Sequence, residues 1–364
     1  RIGGLHRLVR RAVAAGLPED DVDRLRERLR GHVADARVRA GDHIAVTLEP
    51  TDPPYDVGLV GGKAAGLFGA FPVLPAGCRI PSGFVVTTVA YRLHLLGETE
   101  DRLREASRFE GDDAAIERRA RAAILAADIP EEVEATVRRE LSALGDVPLA
   151  VRSSANVEDG PSGSLAGQFD TWLGVRGPEA VLDRLRWCWA SLWNARALRT
   201  LAAAGRSPLD AAQAVLIQPV VETRAAGVLI SRDPSGRPDT LLVNAAWGLG
   251  EGISQGGTPG DLFWVRRSDG TAIASDPSDA GVRVILDPDR PGTVEERLPP
   301  GLESRACLDD EDLVRLAEVA RALEGAAGRA QDVEFGFDRN GALVVFQVRR
   351  LVAAPPRDDV ARPG

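Results

Sequence analysis

Methionine is missing from all 364 residues, position 1 included, so neither end of the chain is read as native. Lysine is nearly missing too. Lys63 is the sole one, and every other basic residue among the 45 is arginine. Four histidines occur, His6, His32, His43 and His94, all before residue 95. They offer no cluster for a zinc centre, and Ser/His/Asp chemistry would have to recruit one of them. Cys78, Cys188 and Cys307 are odd in number and lack metal-ligand spacing, which fits reduced thiols in a cytoplasmic protein. No apolar run approaches the roughly 20 residues of a membrane span. The opening residues lack the charged, apolar and small-residue order of a signal peptide. No membrane role is expected, and a net charge of −9 with a pI of about 5.2 argues against nucleic acid as the main partner. Internal repeats and low-complexity tracts are absent as well.

What is present begins with ample core material. At 44% hydrophobic residues, the length allows one large domain or roughly two to three ordinary ones. The most pointed stretch is Gly61-Gly62-Lys63-Ala64-Ala65-Gly66-Leu67. A chain that uses arginine wherever a positive charge suffices keeps Lys63 where a compact ammonium on a flexible stem is needed. Two glycines let backbone approach a ligand closely. Ala64 to Phe71 reads as a helix, so free amides and a positive dipole end point to the same place. Phosphate is the natural guest; a surface lysine after a flexible turn is the plain alternative.

In chain order, residues 1–54 read as a helical N-terminal extension. Its two amphipathic helices, Ile2–Ala15 and Glu19–Val38, are parted by Gly16-Leu17-Pro18 and followed by a short strand, Ile44–Leu48. Residues 55–211 read as a first lobe with a helical insertion. In it, Pro81 to Thr88 gives a turn, a β-rich run and an N-cap for a helix over Val89–Leu96. Further helices are expected at about 101–108, 113–127 and 130–143. A strand, Val147–Ser154, delivers Arg152-Ser153-Ser154 into a glycine-bearing loop over Ala155–Gly167, which suits phosphate binding or is a plain surface loop. A strand from Gln168 to Leu173 follows. The spacing then predicts one long helix over Glu179–Ala204, whose Trp187, Trp189 and Trp193 read as core.

Residues 212–351 read as a second lobe, and 352–364 as a tail. Strands are expected over Ala212–Val221, after Gly227 up to Ser231, and over Thr240–Ala246. Residues 266–308 look charged and turn-rich, with little that points to chemistry. A helix is expected over Asp309–Ala327, then a hairpin, 332–337 and 342–349. Alternation places Asp332 with Glu334, and Gln347 with Arg349. Paired carboxylates beside an amide and a guanidinium suit Mg²⁺ and a triphosphate, although a solvent-facing hairpin gives the same pattern.

Taken in order, these motifs resemble the nucleotide-binding domain of the phosphoenolpyruvate synthase and pyruvate phosphate dikinase family. They are the glycine-lysine stretch, Pro81–Thr88, Ala150–Ala155, Ser164–Thr171, Ser231-Arg232-Asp233-Pro234, Ala246–Glu251, and Gln331–Glu334 with Gln347-Val348-Arg349. Ala166-Gly167-Gln168 is more similar to the synthase and rifampin phosphotransferase branch than to the dikinase proper. The resemblance implies an α+β, ATP-grasp-type fold with two lobes that binds Mg·ATP between them. It implies phosphate contacts for Lys63 and Arg152, with Thr171 near phosphate and the backbone at Gln218 to Val220 near adenine. It gives Asp332 and Glu334 the Mg²⁺ or the ribose, and sets Gln347 and Arg349 near the transferring phosphates.

Two departures stand out. Asn244 occupies a position where the family usually carries Glu. The family also passes phosphate through a histidine on a swivelling domain, and no histidine follows His94 here. The expectation is therefore an ATP-dependent phosphotransferase module whose phosphohistidine domain is a separate chain or a missing downstream domain. A stand-alone small-molecule kinase and a nucleotide-binding interaction module with weakened catalysis are the alternatives.

Overall fold

The computed structural model describes residues 43–51, 55–109, 111–157, 169–254, 259–303 and 305–351. The two helices expected before residue 40, most of the loop expected up to Gly167, and the tail from 352 lie outside them. The chain runs β1 (Ala45–Thr47), α1 (Val57–Ala70), β2 (Cys78–Arg79), β3 (Phe84–Val86) and α2 (Thr88–His94). Next come α3 (Glu98–Ser107), α4 (Asp113–Ala126), α5 (Glu131–Leu144), β4 (Leu149–Ala155), β5 (Thr171–Val175), α6 (Pro178–Ser191) and α7 (Ala195–Ala203). Then β6 (Gln213–Pro219), β7 (Thr223–Ile230), β8 (Thr240–Trp247), α8 (Glu251–Ser254), β9 (Asp261–Arg266) and β10 (Ala272–Asp276) follow. The chain closes with β11 (Val282–Leu286), β12 (Thr293–Arg297), α9 (Asp310–Ala327), β13 (Gln331–Asp338) and β14 (Leu343–Arg350). The class is α+β, as expected.

The first of two units comprises the described parts of Arg1–Phe68 and Pro81–Val220, with Leu286–Thr293. Its antiparallel sheet has the order β1-β3-β6-β4-β5. Alternation divides the sheet into two faces. On one, Leu149, Val151, Val215, Ile217, Phe84 and Val86 join a core with Leu185, Trp189 and Trp193. Both tryptophans are fully buried, as expected, and burial of such a side chain stabilises by about 1.5–3 kcal/mol. Trp187, also expected in the core, is instead half-buried under the Arg121 guanidinium. The opposite face carries Arg152 and Ser154 of β4 with Leu216 and Gln218 of β6.

Two sequence expectations change here. The long helix over Glu179–Ala204 is two helices, because the chain turns at Leu192–Asn194. Asn194 caps α7 by accepting from the Ala197 amide at 2.7 Å, and the Glu117 carboxylate accepts from the Ala195 amide at 2.9 Å. The strand β6, which the reading from sequence grouped with the second lobe, belongs to the first unit. It hydrogen-bonds between β3 and β4 and buries Ala214 to Ile217 completely.

The second unit comprises Gly69–Ile80, Val221–Ile285 and the described part of Val294–Gly364. Its sheet has the order β10-β9-β8-β7-β13-β14-β2, antiparallel except where β14 meets β2. One face presents Val333, Leu229, Val243 and Phe263, all buried, and α9 packs on this sheet. That helix starts with a capping box in which Asp309 and Asp312 accept each other's amides, and it ends at Gly328 in the left-handed region. Residues 266–308, read as turn-rich, contain β10, β11 and β12. Every residue of β10 is exposed, so no alternation of polar and apolar residues announces it.

Candidate functional site

Within the first unit, two of the expected phosphate residues, Arg152 and Thr171, share one sheet face. Arg152 pairs with Thr171 on β5 and with Leu216 on β6, so these side chains point the same way. Arg152 is only 8% exposed, an unusual place for a guanidinium. Two residues on, Ser154 reaches α1. Its hydroxyl donates to the Val60 carbonyl at 2.8 Å and accepts from the Ala64 amide at 3.2 Å. The helix is broken there, since Gly61 has φ +75° and ψ 171°. A Cβ on Gly61 would collide with the Ser154 carbonyl, so only glycine fits. Lys63 therefore stands at the start of a fresh helical segment anchored beside Arg152.

The two serines were read from sequence as suiting phosphate, and the structure corrects this. Ser153 is fully buried on the core face, where its hydroxyl donates to the Asp170 carbonyl at 2.9 Å. Ser154 is fully buried as well, and both its bonds go to the backbone of α1. These hydroxyls brace the backbone that carries Lys63 and Thr171. At the edge of the same unit, the Gln218 side chain donates to the Pro81 carbonyl at 2.9 Å, and the Val220 amide donates to Pro148 at 2.8 Å. The Pro81-Ser82-Gly83 turn is thus a brace for β6.

Within the second unit, β13 and β14 align as the alternation implied. Asp332 lies opposite Arg349 and Glu334 opposite Gln347. Arg349 donates to one oxygen of Asp332, from Nε at 2.9 Å and from Nη2 at 2.7 Å. The other oxygen, Oδ1, is buried without a hydrogen-bond partner. Burial, with the Glu334 charge, holds the Asp332 carboxyl above the usual range against the pull of Arg349. Across the sheet, Glu334 faces Val228 and Val228 faces Asn244, so all three share this face. The Asn244 Oδ1 is also buried and unpartnered. The buried, unpartnered Asp332 oxygen, two residues from a second carboxylate on the same face, is the kind of group a hard cation seeks, while Asn244 lies two strands away.

Sequence reasoning assigned no task to Ser231-Arg232-Asp233-Pro234, and the structure supplies one. Ser231 Oγ donates to Glu324 at 2.7 Å and accepts from the Gln331 amide at 2.8 Å, which ties α9 to the residue before Asp332. In the other glycine motif, Gly248 has φ +83°, and the Leu249 amide donates to the Val284 carbonyl at 2.8 Å. Among the described residues no helix is long and apolar enough to cross a membrane.

Comparison with known proteins identifies the family. The family described as pyruvate phosphate dikinase, AMP/ATP-binding domain, matches residues 57–362. A probable phosphoenolpyruvate synthase of Methanothermobacter thermautotrophicus is 32% identical over 308 residues, covering 81% of this chain and 44% of the relative. A rifampicin phosphotransferase of Streptomyces sviceus is 34% identical over 287 residues, covering 77% and 32%. A phosphoenolpyruvate synthase of Pyrococcus furiosus is 30% identical over 347 residues, covering 81% and 42%. The chain spans less than half the length of each of these relatives.

Proposed function

The chain belongs to the pyruvate phosphate dikinase AMP/ATP-binding domain family, and on that premise we propose that it is the Mg·ATP-binding module of a phosphotransferase. It donates a phosphoryl group to a histidine on another domain or chain. The observation that supports this reading is that β4 carries the buried Arg152 and, two residues on, the Ser154 that is bonded to α1 where the helix restarts beside Lys63. Phosphoryl transfer needs little covalent chemistry from the protein. It needs positioning and neutralisation of charge on the phosphates. Lys63 supplies a mobile point charge and Arg152 a planar fork held by burial. Thr171, paired with Arg152, adds a hydroxyl on the same face.

Asp332 and Glu334 hold Mg²⁺ or the ribose in this proposal, and Gln347 and Arg349 serve the phosphates. The orphaned Asp332 Oδ1 fits a divalent cation. Among the described residues no group of three or more His, Cys, Asp or Glu gathers to cage a metal. Such a sparse set suits Mg²⁺, which binds through one or two carboxylates and completes its shell with water and phosphate oxygens. When bound, the ion would neutralise developing charge on the transferring group. Asn244 adds a neutral oxygen rather than a charge to this face. The backbone at Gln218 and Val220 serves the adenine, with the amide of Val220 already given to Pro148.

Calorimetry of Mg·ATP binding tests the proposal. The wild type is expected to bind in the micromolar range, and Lys63→Ala to lose roughly 1.4 kcal/mol or more, a tenfold loss of affinity. Equal binding by both proteins, or none by either, would remove Lys63 from the phosphates and the proposal with it.

A further inference from the structure

The break in α1 is the work of one inserted hydroxyl. In an unbroken helix the Ala64 amide would donate directly to the Val60 carbonyl, four residues back. Here the Ser154 side chain stands between them, donating to Val60 at 2.8 Å and accepting from Ala64 at 3.2 Å. A hydroxyl has one hydrogen and two lone pairs, so it can relay such a bond without leaving either backbone group unsatisfied. Insertion of a side chain into the helical ladder is a recognised cause of a sharp kink. Gly61 completes the break, because its φ of +75° lets the backbone turn away while the Ser154 carbonyl packs where a Cβ would be.

The consequence is a second helix start inside what is otherwise one helix. The segment after Gly61 runs to Ala70, with Lys63 on its first turn. The strand that supplies the strut also supplies the other cation: Arg152 and Ser154 are two apart on β4 and so share its face. One strand thereby fixes the register of Arg152 against Lys63.

We propose that Ser154 is a positioning residue for Lys63, holding α1 broken so that the ammonium and the start of the new helical segment face phosphate. This inference rests on the reading that Lys63 binds the nucleotide phosphates. The hydroxyl itself touches no ligand, since both of its strong interactions are to α1.

The test is a double-mutant cycle on Mg·ATP binding, with Ser154→Ala, Lys63→Ala and the double variant. Thermal midpoints of the nucleotide-free proteins are measured alongside. The expected result is a loss of tenfold or more for Ser154→Ala, and a double variant that binds no worse than Lys63→Ala within about twofold, because the serine acts through the lysine. In the nucleotide-free protein, the amide resonances of Gly62 and Lys63 are expected to shift in Ser154→Ala. If the alanine variant does not fold, Ser154→Cys, which keeps the volume and a weak donor, carries the same comparison.

Wild-type affinity in Ser154→Ala, with a tenfold loss in Lys63→Ala, overturns the positioning role and leaves the proposed function standing. Losses that multiply in the double variant overturn it too, since they place Ser154 outside the action of Lys63. No effect of Lys63→Ala on binding overturns the proposed function, and this inference falls with it.

Discussion

His94 has the chemistry of a phosphoryl acceptor and the surroundings of a core residue. Its ring lies 4.7 Å from that of Trp189, and Nε2 is 3.0 Å from the Ile124 carbonyl. The neutral ring donates there, while Nδ1 is buried without a partner. Burial lowers its pKa below the ordinary 6.5, Arg186 lowers it further, and the Ile124 carbonyl and the Asp128 charge act the other way. The sign follows from proton counting. Below pH 6.5 the unfolded chain takes up a proton that the folded one refuses, so this residue's contribution is complete above that value. It is lost as pH falls through the lowered folded value. Urea midpoints between about pH 7 and 5 should therefore decline more steeply in the wild type than in His94→Gln, by at most about 1.4 kcal/mol per pH unit. Parallel slopes would show that folding leaves the proton affinity of His94 unchanged.

At the scale of elements, the hairpin and the capped helices were legible because local chemistry decides them. Asp309 and Gly328 mark the ends of α9, and alternation along β13 and β14 sets Asp332 against Arg349. What stayed hidden depends on distant partners. The turn that ends α6 is bonded to Glu117 from another helix, and β10 pairs with β9 while all its side chains are exposed. The buried bonds of Ser153 and Ser154 look from sequence like ligand hydroxyls, since Arg-Ser-Ser at a strand end gives no sign of which backbone will claim them.

The same holds for Glu324, which no motif announced. Burial pushes its carboxyl up, but Arg232, Ser231 and Arg267 together hold it below the usual range. It accepts from Arg232 at 2.8 and 2.6 Å, from Ser231 at 2.7 Å and from Arg267 at 2.9 Å. Because its side chain is 7% exposed and that of Arg232 is 62% exposed, the cost of losing them should differ. Glu324→Gln should destabilise by about 2 kcal/mol, for it leaves cations and a hydroxyl short of a charged acceptor. Arg232→Ala should cost much less, because solvent screens an exposed guanidinium. Denaturant unfolding measures both, and equal small losses would mean that solvent screens the whole cluster.

For the whole molecule, the open question is where the phosphoryl group goes. Every histidine of this sequence precedes residue 95, His94 is 3% exposed beneath Trp189, and His43 is the exposed one among the described residues. A histidine acceptor on another domain or chain predicts a reaction that this chain begins and cannot complete. With ATP labelled at the α,β- or at the β,γ-bridging oxygen, the chain alone should leave both labels in place. Adding a family domain that carries an accessible histidine should scramble one of them, because reversible transfer frees the terminal phosphate of the leaving nucleotide to rotate before ATP is re-formed. Which label scrambles tells which phosphorus is attacked. Lys63→Ala should suppress the exchange, since the charge that positions the phosphates is gone. Scrambling by the chain alone that disappears in His43→Gln would move the acceptor onto this chain. Consumption of ATP with a small alcohol as acceptor, and no need of any histidine, would instead make the protein a direct kinase.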